Sequence, residues 1–97
     1  MTTLRVKEHT GGFAEDKDVA RALRTEHIEP ALKRRSTVTI DFEGVDGATQ
    51  SFVHAMISHP IRTSRGKALD RLRFKNCAPP VREIIAIVCE YSQDTAE

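Results

Sequence analysis

Ser51 and its neighbours are the residues of this sequence best placed to do chemistry. They stand in Thr49-Gln50-Ser51, which follows a connector containing Asp46 and opens a segment that predicts a helix. Backbone N–H groups are unpaired at a helix N-terminus and the helix dipole is positive there, so a phosphate on Ser51 would be stabilised. It would add roughly two negative charges and change the fit of a partner. The alternative is that Thr49 or Ser51 only caps the helix.

Two aspartates lie near this turn, Asp41 at the end of a predicted strand and Asp46 in the connector. Their carboxylates can hydrogen-bond the turn or line a cation site. The alternative is that both are solvated loop carboxylates. We therefore include Asp46 with Thr49, Gln50 and Ser51 as candidate residues for phosphorylation or partner contact.

A row of basic residues forms a second candidate surface. Arg71, Arg73 and Lys75 alternate with Leu72 and Phe74, so the basic side chains share one face of a predicted strand. Such a row suits docking of an acidic partner or a phosphate. The alternative is that these charges only keep an exposed strand from pairing with another chain.

The histidines and cysteines of the sequence show no spacing typical of a metal site or a catalytic centre. No CxxC pair, helical histidine pair, glycine-rich phosphate loop or paired-carboxylate motif is present. We therefore predict no metal, no cofactor and no enzymatic activity, and we expect reduced, partly buried thiols. A shallow site using His54 or Asp46 is the enzymatic alternative. The histidines and cysteines without such spacing are His9, His27, His54, His59, Cys77 and Cys89.

The composition indicates one folded domain over residues 1–97. The chain has 39% hydrophobic and 30% charged residues, which is enough for one core. A formal net charge of +1 provides no global basic field, which disfavours nucleic-acid binding. No stretch is apolar enough to span a bilayer and no secretory h-region follows Met1, so we expect no membrane contact and a cytoplasmic location.

The hydrophobic periodicity predicts the order strand, helix, strand, helix, strand, helix, with no internal repeat. This alternation is typical of an α/β domain with parallel pairings. Val38 and Ile40 face one way and Thr39 the other, which indicates helices mainly on one face of the sheet. The predicted elements are strand Leu4–Val6, a helix from Asp16 with a kink or restart at Pro30, strand Thr37–Phe42, a helix from Thr49 ending at Pro60, strand Leu69–Lys75 and a helix from Pro79.

The segment from Val38 to Phe52, Val-Thr-Ile-Asp-Phe-Glu-Gly-Val-Asp-Gly-Ala-Thr-Gln-Ser-Phe, resembles the core of the small bacterial STAS-like proteins of uncharacterised function. The stretches Gly12 to Arg21 and Leu72 to Val81 resemble the beginning of that family's first helix and its last strand and helix. The resemblance covers Leu4 to Gln93. It implies an α/β, STAS-like fold, a small mixed β-sheet with helices packed mainly on one face.

At a greater distance the chain is similar to the STAS domains of bacterial anti-sigma factor antagonists, whose turn carries an Asp-Ser-Ser-Gly motif with a phosphorylatable serine. Thr49, Gln50, Ser51 and Phe52 occupy the four places of that motif. Ser51 matches the phosphorylated serine, and the other three residues differ. The resemblance thus implies a regulatory role centred on Ser51.

The leading hypothesis is a non-enzymatic regulatory module that binds another protein at the Ser51 turn. The resemblance implies a histidine-kinase-like ATPase of the anti-sigma type as that partner. A second hypothesis is a structural or homo-oligomeric subunit, such as a homodimer, whose apolar helix faces are partly buried against another copy. A third is weak nucleic-acid binding through Arg71, Arg73 and Lys75, with affinity that falls steeply with salt.

Overall fold

A three-stranded sheet in the order β1-β3-β5 organises the structure. The computed structural model describes residues 2–94, with side chains described for residues 2–92. Strand β1 is Thr2–Arg5, β3 is Val38–Asp41 and β5 is Leu72–Lys75. Both pairings are parallel, and β3 lies in the centre.

The two faces of this sheet differ because side chains alternate along a strand. On one face Leu4, Val38 and Ile40 are at most 3% exposed and belong to the hydrophobic core. The other face is polar, and four of its six side chains are exposed. It carries Thr3, Arg5, Thr39, Asp41, Arg73 and Lys75. The α/β class with helices on one face is therefore confirmed. Every strand pair within residues 2–94 is parallel, as the element order predicted, whereas the resemblance implied a mixed sheet.

A second, very short parallel sheet pairs β2, Phe13–Ala14, with β4, Gly47–Ala48. A single helical turn, α1 at Lys7–Thr10, precedes β2. The sequence predicted no strand at either place, and Gly47–Ala48 belonged to the connector before Ser51. Two-residue strands are too short to produce a readable alternation, so only their pairing across the fold defines them.

Two long helices cover the sheet, and each contains a proline. The first joins α2 (Lys17–Leu23), a π-helical turn (Arg24–Ile28) and α3 (Glu29–Lys33) without a break. The second joins α4 (Gln50–Val53), a π-helical turn (His54–Ser58) and α5 (His59–Thr63). A proline ring clashes with the carbonyl four residues earlier in a regular α-helix, and the wider π turn relieves that clash.

One of the two predictions about these prolines is confirmed and the other is wrong. Pro30 introduces the irregularity that was predicted, as a π turn. The prediction that Pro60 ends the regular helix is wrong, because the second long helix continues through Pro60 to Thr63. The N-terminal cap of the first long helix is confirmed, since the Asp16 carboxylate accepts a hydrogen bond from the Asp18 N–H at 2.9 Å.

The two long helices also repeat each other in detail, although the sequence shows no repeat. Their π turns begin at Arg24 and His54, thirty residues apart along the chain. Each ends in an arginine with positive φ, Arg35 at 59° and Arg65 at 55°. The next N–H donates back to a carbonyl five residues earlier, at 2.9 Å from Ser36 and 2.8 Å from Gly66. This likeness is confined to the backbone geometry of the two helices.

The C-terminal part of the structure contains a 3₁₀ turn, Lys67–Asp70, then β5 and helix α6, Pro79–Asp94. The predicted strand over Leu69–Lys75 is therefore shorter, because its first residues belong to the 3₁₀ turn. The final helix is confirmed, and Val81, Ile85 and Val88 enter the core at most 6% exposed. Among the described residues, none of the helices combines the length and apolar character needed to cross a membrane.

Candidate functional site

The turn that leads into the second long helix is capped by Thr49. Its hydroxyl oxygen accepts a hydrogen bond from the Phe52 N–H at 3.1 Å, and its φ of −83° and ψ of 155° are extended, as N-cap residues require. Phe52 is fully buried, which anchors the first turn in the core. Thr49 therefore has the structural role that the capping alternative assigned to this turn.

Ser51 lies one residue into this helix and is exposed. Its hydroxyl makes no hydrogen bond to another group within residues 2–92, so the fold does not use it as a cap. No histidine or carboxylate of the described residues is bonded to it, so it lacks the adjacent base that activates a serine nucleophile. The hydroxyl is thus available to solvent, to a partner or to a modifying enzyme.

The β2–β4 ladder positions the Ser51 turn. The Asp46 N–H donates to the Gly12 carbonyl at 2.8 Å, and the Thr49 N–H donates to the Ala14 carbonyl at 2.9 Å. These bonds lie on either side of the strand pairing that puts Phe13 beside Gly47. The connector before Ser51 is therefore held against a segment more than thirty residues earlier in the chain.

Phe13 is the largest exposed apolar feature next to this turn. Its side chain is 51% exposed, and its ring lies over the backbone of Gly47. A Cβ atom at Gly47 would come 2.9 Å from Cε1 of Phe13, so a side chain there would require the exposed ring to shift. Sequence reasoning missed Phe13 as a site residue. The available signal was an aromatic residue directly after Gly11-Gly12, where no helix or long strand explains it.

Asp41 holds together the ends of two strands next to the connector. One carboxylate oxygen accepts hydrogen bonds from the Glu43 N–H at 2.9 Å and from the Asn76 side-chain amide at 3.1 Å. The Glu43 N–H is the main reason that the pKa of Asp41 lies below its ordinary value. Burial opposes this shift, and Asn76, Lys75 and Arg5 reinforce it. Asp41 is therefore a buried carboxylate that bonds the start of the connector and the residue after β5, and neither partner belongs to the Ser51 turn.

The other predicted site residues are distributed around the molecule. Asp46 and Gln50 are both exposed beside Thr49 and Ser51, so the four candidate residues lie together. Arg73 and Lys75 are exposed on the open face of the sheet, and a guanidinium N–H of Arg73 donates to the Asp70 carbonyl at 3.0 Å. Arg71 precedes β5, and its guanidinium donates to the Arg35 carbonyl.

The histidines and cysteines mostly support the packing of helices. The Nδ1 atom of His54 lies 2.6 Å from the Tyr91 hydroxyl, which links the second long helix to α6. Burial raises the pKa of the Cys77 and Cys89 thiols, both of which are half-buried. Within the described part of the chain, no group of three His, Cys, Asp or Glu side chains is arranged to hold a metal ion.

The residues around Ser51 therefore form an exposed surface. It consists of the Ser51 hydroxyl, on a helix capped by Thr49, and the Phe13 ring, on the β2–β4 ladder that positions this turn. Comparison with known proteins assigns this fold. A family model described as "STAS-like domain of unknown function (DUF4325)" matches residues 19–82. The chain belongs to this STAS-like family, which is not a known enzyme family. No curated protein and no solved structure matches the chain.

Proposed function

We propose that this chain is a regulatory protein-interaction module whose partner docks on the surface formed by Phe13 and the first turn of the second long helix. The exposure of Phe13 carries the proposal. A phenyl ring left half in water gains free energy when a partner covers it, and aromatic side chains are common at interface centres. Phe13 is held on a hydrogen-bonded ladder, so little conformational entropy is lost when it is covered.

Ser51 supplies a means of regulating this docking. Because Thr49 already caps the helix, a change at the Ser51 hydroxyl leaves the cap intact. A phosphoryl group on Ser51 would face the unpaired N–H groups of the first helical turn, which favour negative charge. It would also introduce charge next to an aromatic docking surface, which opposes binding of a partner that matches the unmodified turn.

Membership of the STAS-like family is compatible with a protein partner and does not by itself name the partner's class. The distant similarity to anti-sigma factor antagonists supports a histidine-kinase-like ATPase, and the match of Ser51 to the phosphorylated serine supports transfer from ATP. Exposed Asp46 and Gln50 would contact the same partner at the margin of the surface.

The first experiment measures complex formation with a histidine-kinase-like ATPase encoded beside this protein, by titration calorimetry. We expect Phe13→Ser to weaken the complex about tenfold or more, as truncation of an interface anchor does. Ile87→Ser is the matched control, because Ile87 is the other large apolar side chain exposed within residues 2–92, at 45%, and it lies on α6. Both variants should unfold at temperatures close to that of the parent protein.

The second experiment tests the switch. Incubation of the complex with ATP should add one phosphoryl group at Ser51, seen by intact mass and absent from Ser51→Ala. Ser51→Glu should weaken the complex while Ser51→Ala retains it. A complex that forms without any phosphoryl adduct would reject the switch and leave docking intact. Failure to form a complex, or equal weakening by Phe13→Ser and Ile87→Ser, would reject the docking surface itself.

A further inference from the structure

A groove of about 550 Å³ lies at the end of the sheet opposite the Ser51 turn. It is bordered by the residues that precede β3 and β5, whereas the Ser51 turn follows β3. Its buried and half-buried apolar members are Leu32, Pro60 and Ala68, one from each long helix and one from the 3₁₀ turn. A volume of this size is typical of sites for small ligands.

The charged side chains around this groove are mostly positive. Lys33, Arg35, Lys67 and Arg71 line it, and none of them forms an ion pair with a carboxylate of residues 2–92. Two of them lie at a helix C-terminus, where a basic residue complements the helix dipole: Lys33 is the last residue of α3, and Arg35 is two residues beyond it. Lys67 is the first residue of the 3₁₀ turn, where a helix dipole does not favour a basic side chain, and Arg71 follows the last residue of that turn.

The one carboxylate that lines the groove is already engaged. An oxygen of Glu29 lies 3.1 Å from Nδ1 of His59 and 3.6 Å from Nε of Arg24. The four cations exceed the single negative charge of Glu29, so an anion in the groove meets a net positive surface.

Part of this surface is held in place before any ligand binds. One guanidinium nitrogen of Arg71 donates to the Arg35 carbonyl, which leaves its other N–H groups free to donate. Arg35 itself has a φ of 59°, set by the hydrogen bonds that end the first long helix. Held donors lose less conformational entropy on binding an anion than mobile side chains do.

We propose that this groove binds a small organic phosphate, a phosphate monoester on an apolar body. A phosphate monoester has about two negative charges at neutral pH, which suits four cations better than a single carboxylate does. The apolar body would cover Leu32, Pro60 and Ala68. This site is independent of the docking surface around Phe13.

The test uses phenyl phosphate as the probe and follows backbone amides by two-dimensional NMR. The amides of Arg35, Lys67 and Ala68 should shift saturably, with a dissociation constant at or below about 1 mM. Inorganic phosphate should bind the same amides about tenfold more weakly because it does not cover the apolar residues. Benzyl alcohol, which lacks the charge, should produce no saturable shift.

Two double variants distinguish the groove from general attraction between charges. Lys33→Gln with Lys67→Gln should weaken phenyl phosphate binding about tenfold or more, since each removes a charge-assisted donor. Arg73→Gln with Lys75→Gln removes the same charge from the open face of the sheet and should change the affinity less than about twofold. All four side chains are exposed, so both variants should fold.

Equal weakening by the two double variants would overturn the site. So would equal affinity for phenyl phosphate and inorganic phosphate, because the apolar residues would then have no role. Hexaglutamate that binds the same amides more tightly than phenyl phosphate would overturn the small-ligand proposal in favour of an acidic protein segment.

Discussion

Replacing Arg24 by methionine should destabilise the protein, because the Ala55 carbonyl on the second long helix would lose its hydrogen-bond donor. The Arg24 guanidinium donates to the Ala55 carbonyl at 3.2 Å, and its Nε lies 3.6 Å from Glu29. In a π turn the donor to Ala55 would be the N–H of residue 60, and Pro60 has none. Methionine keeps the apolar stem of the side chain and removes every donor.

The expected loss is about 1–3 kcal/mol, since a partly buried carbonyl loses its donor and Glu29 loses a partly shielded cation. Urea unfolding followed by circular dichroism measures it. With an m-value of roughly 1 kcal/mol per molar, the midpoint should fall by about 1–3 M. Arg21→Met is the matched control: Arg21 is on the same helix, its ion pair with Asp18 is largely exposed, and its loss should cost less than about 0.5 kcal/mol.

A double-mutant cycle with Pro60→Ala tests the stated cause. Alanine restores an N–H at residue 60 that can donate within the helix, so Arg24→Met should cost at least about 1 kcal/mol less in that background. The reasoning fails if Arg24→Met costs the same in the parent protein and in the Pro60→Ala variant, or if it costs no more than Arg21→Met.

Three further predictions concern the turn and the thiols. The pKa of Asp41 is lower in the folded state than in the unfolded state, so the ionised carboxylate stabilises the fold above the unfolded-state pKa, and this contribution is lost as the pH falls through the folded-state pKa. Between about pH 5 and pH 2, Asp41→Asn should therefore lose less stability than the parent protein. Parallel curves of stability against pH would contradict this. Thr49→Ala should cost about 1 kcal/mol in urea unfolding through loss of the cap to Phe52, whereas an unchanged midpoint would show that the cap is dispensable. The raised pKa of the Cys77 and Cys89 thiols should make iodoacetamide alkylation at pH 8 slower in the folded protein than in urea, and equal rates would refute it.

The local hydrophobic pattern was sufficient to predict several elements. Val81, Ile85 and Val88 recur at helical spacing and are buried in α6, and Val38 and Ile40 alternate with Thr39 in β3. These predictions succeed because one face of each element must be buried, and the period of the burial is written in the sequence. The candidate residues at Ser51 were located for the same reason, since the strand and helix on either side are strongly patterned.

Other features depend on contacts between distant residues and escaped prediction. Pro60 suggested the end of a helix, yet a π turn and a guanidinium from the other long helix let the helix continue. Phe13 showed no helical or strand period, and its exposure follows from a two-residue pairing with Gly47.

The sequence by itself thus determined which stretches form strands and helices, and placed Ser51 at the start of an apolar-striped helix after a strand. Only the tertiary structure decided which groups surround that serine. Thr49 rather than Ser51 caps the helix, and Phe13 stands on the ladder beside it. The physical reason is range: burial imposes a period on neighbouring residues, whereas pairing of backbone groups across more than thirty residues leaves no period to read.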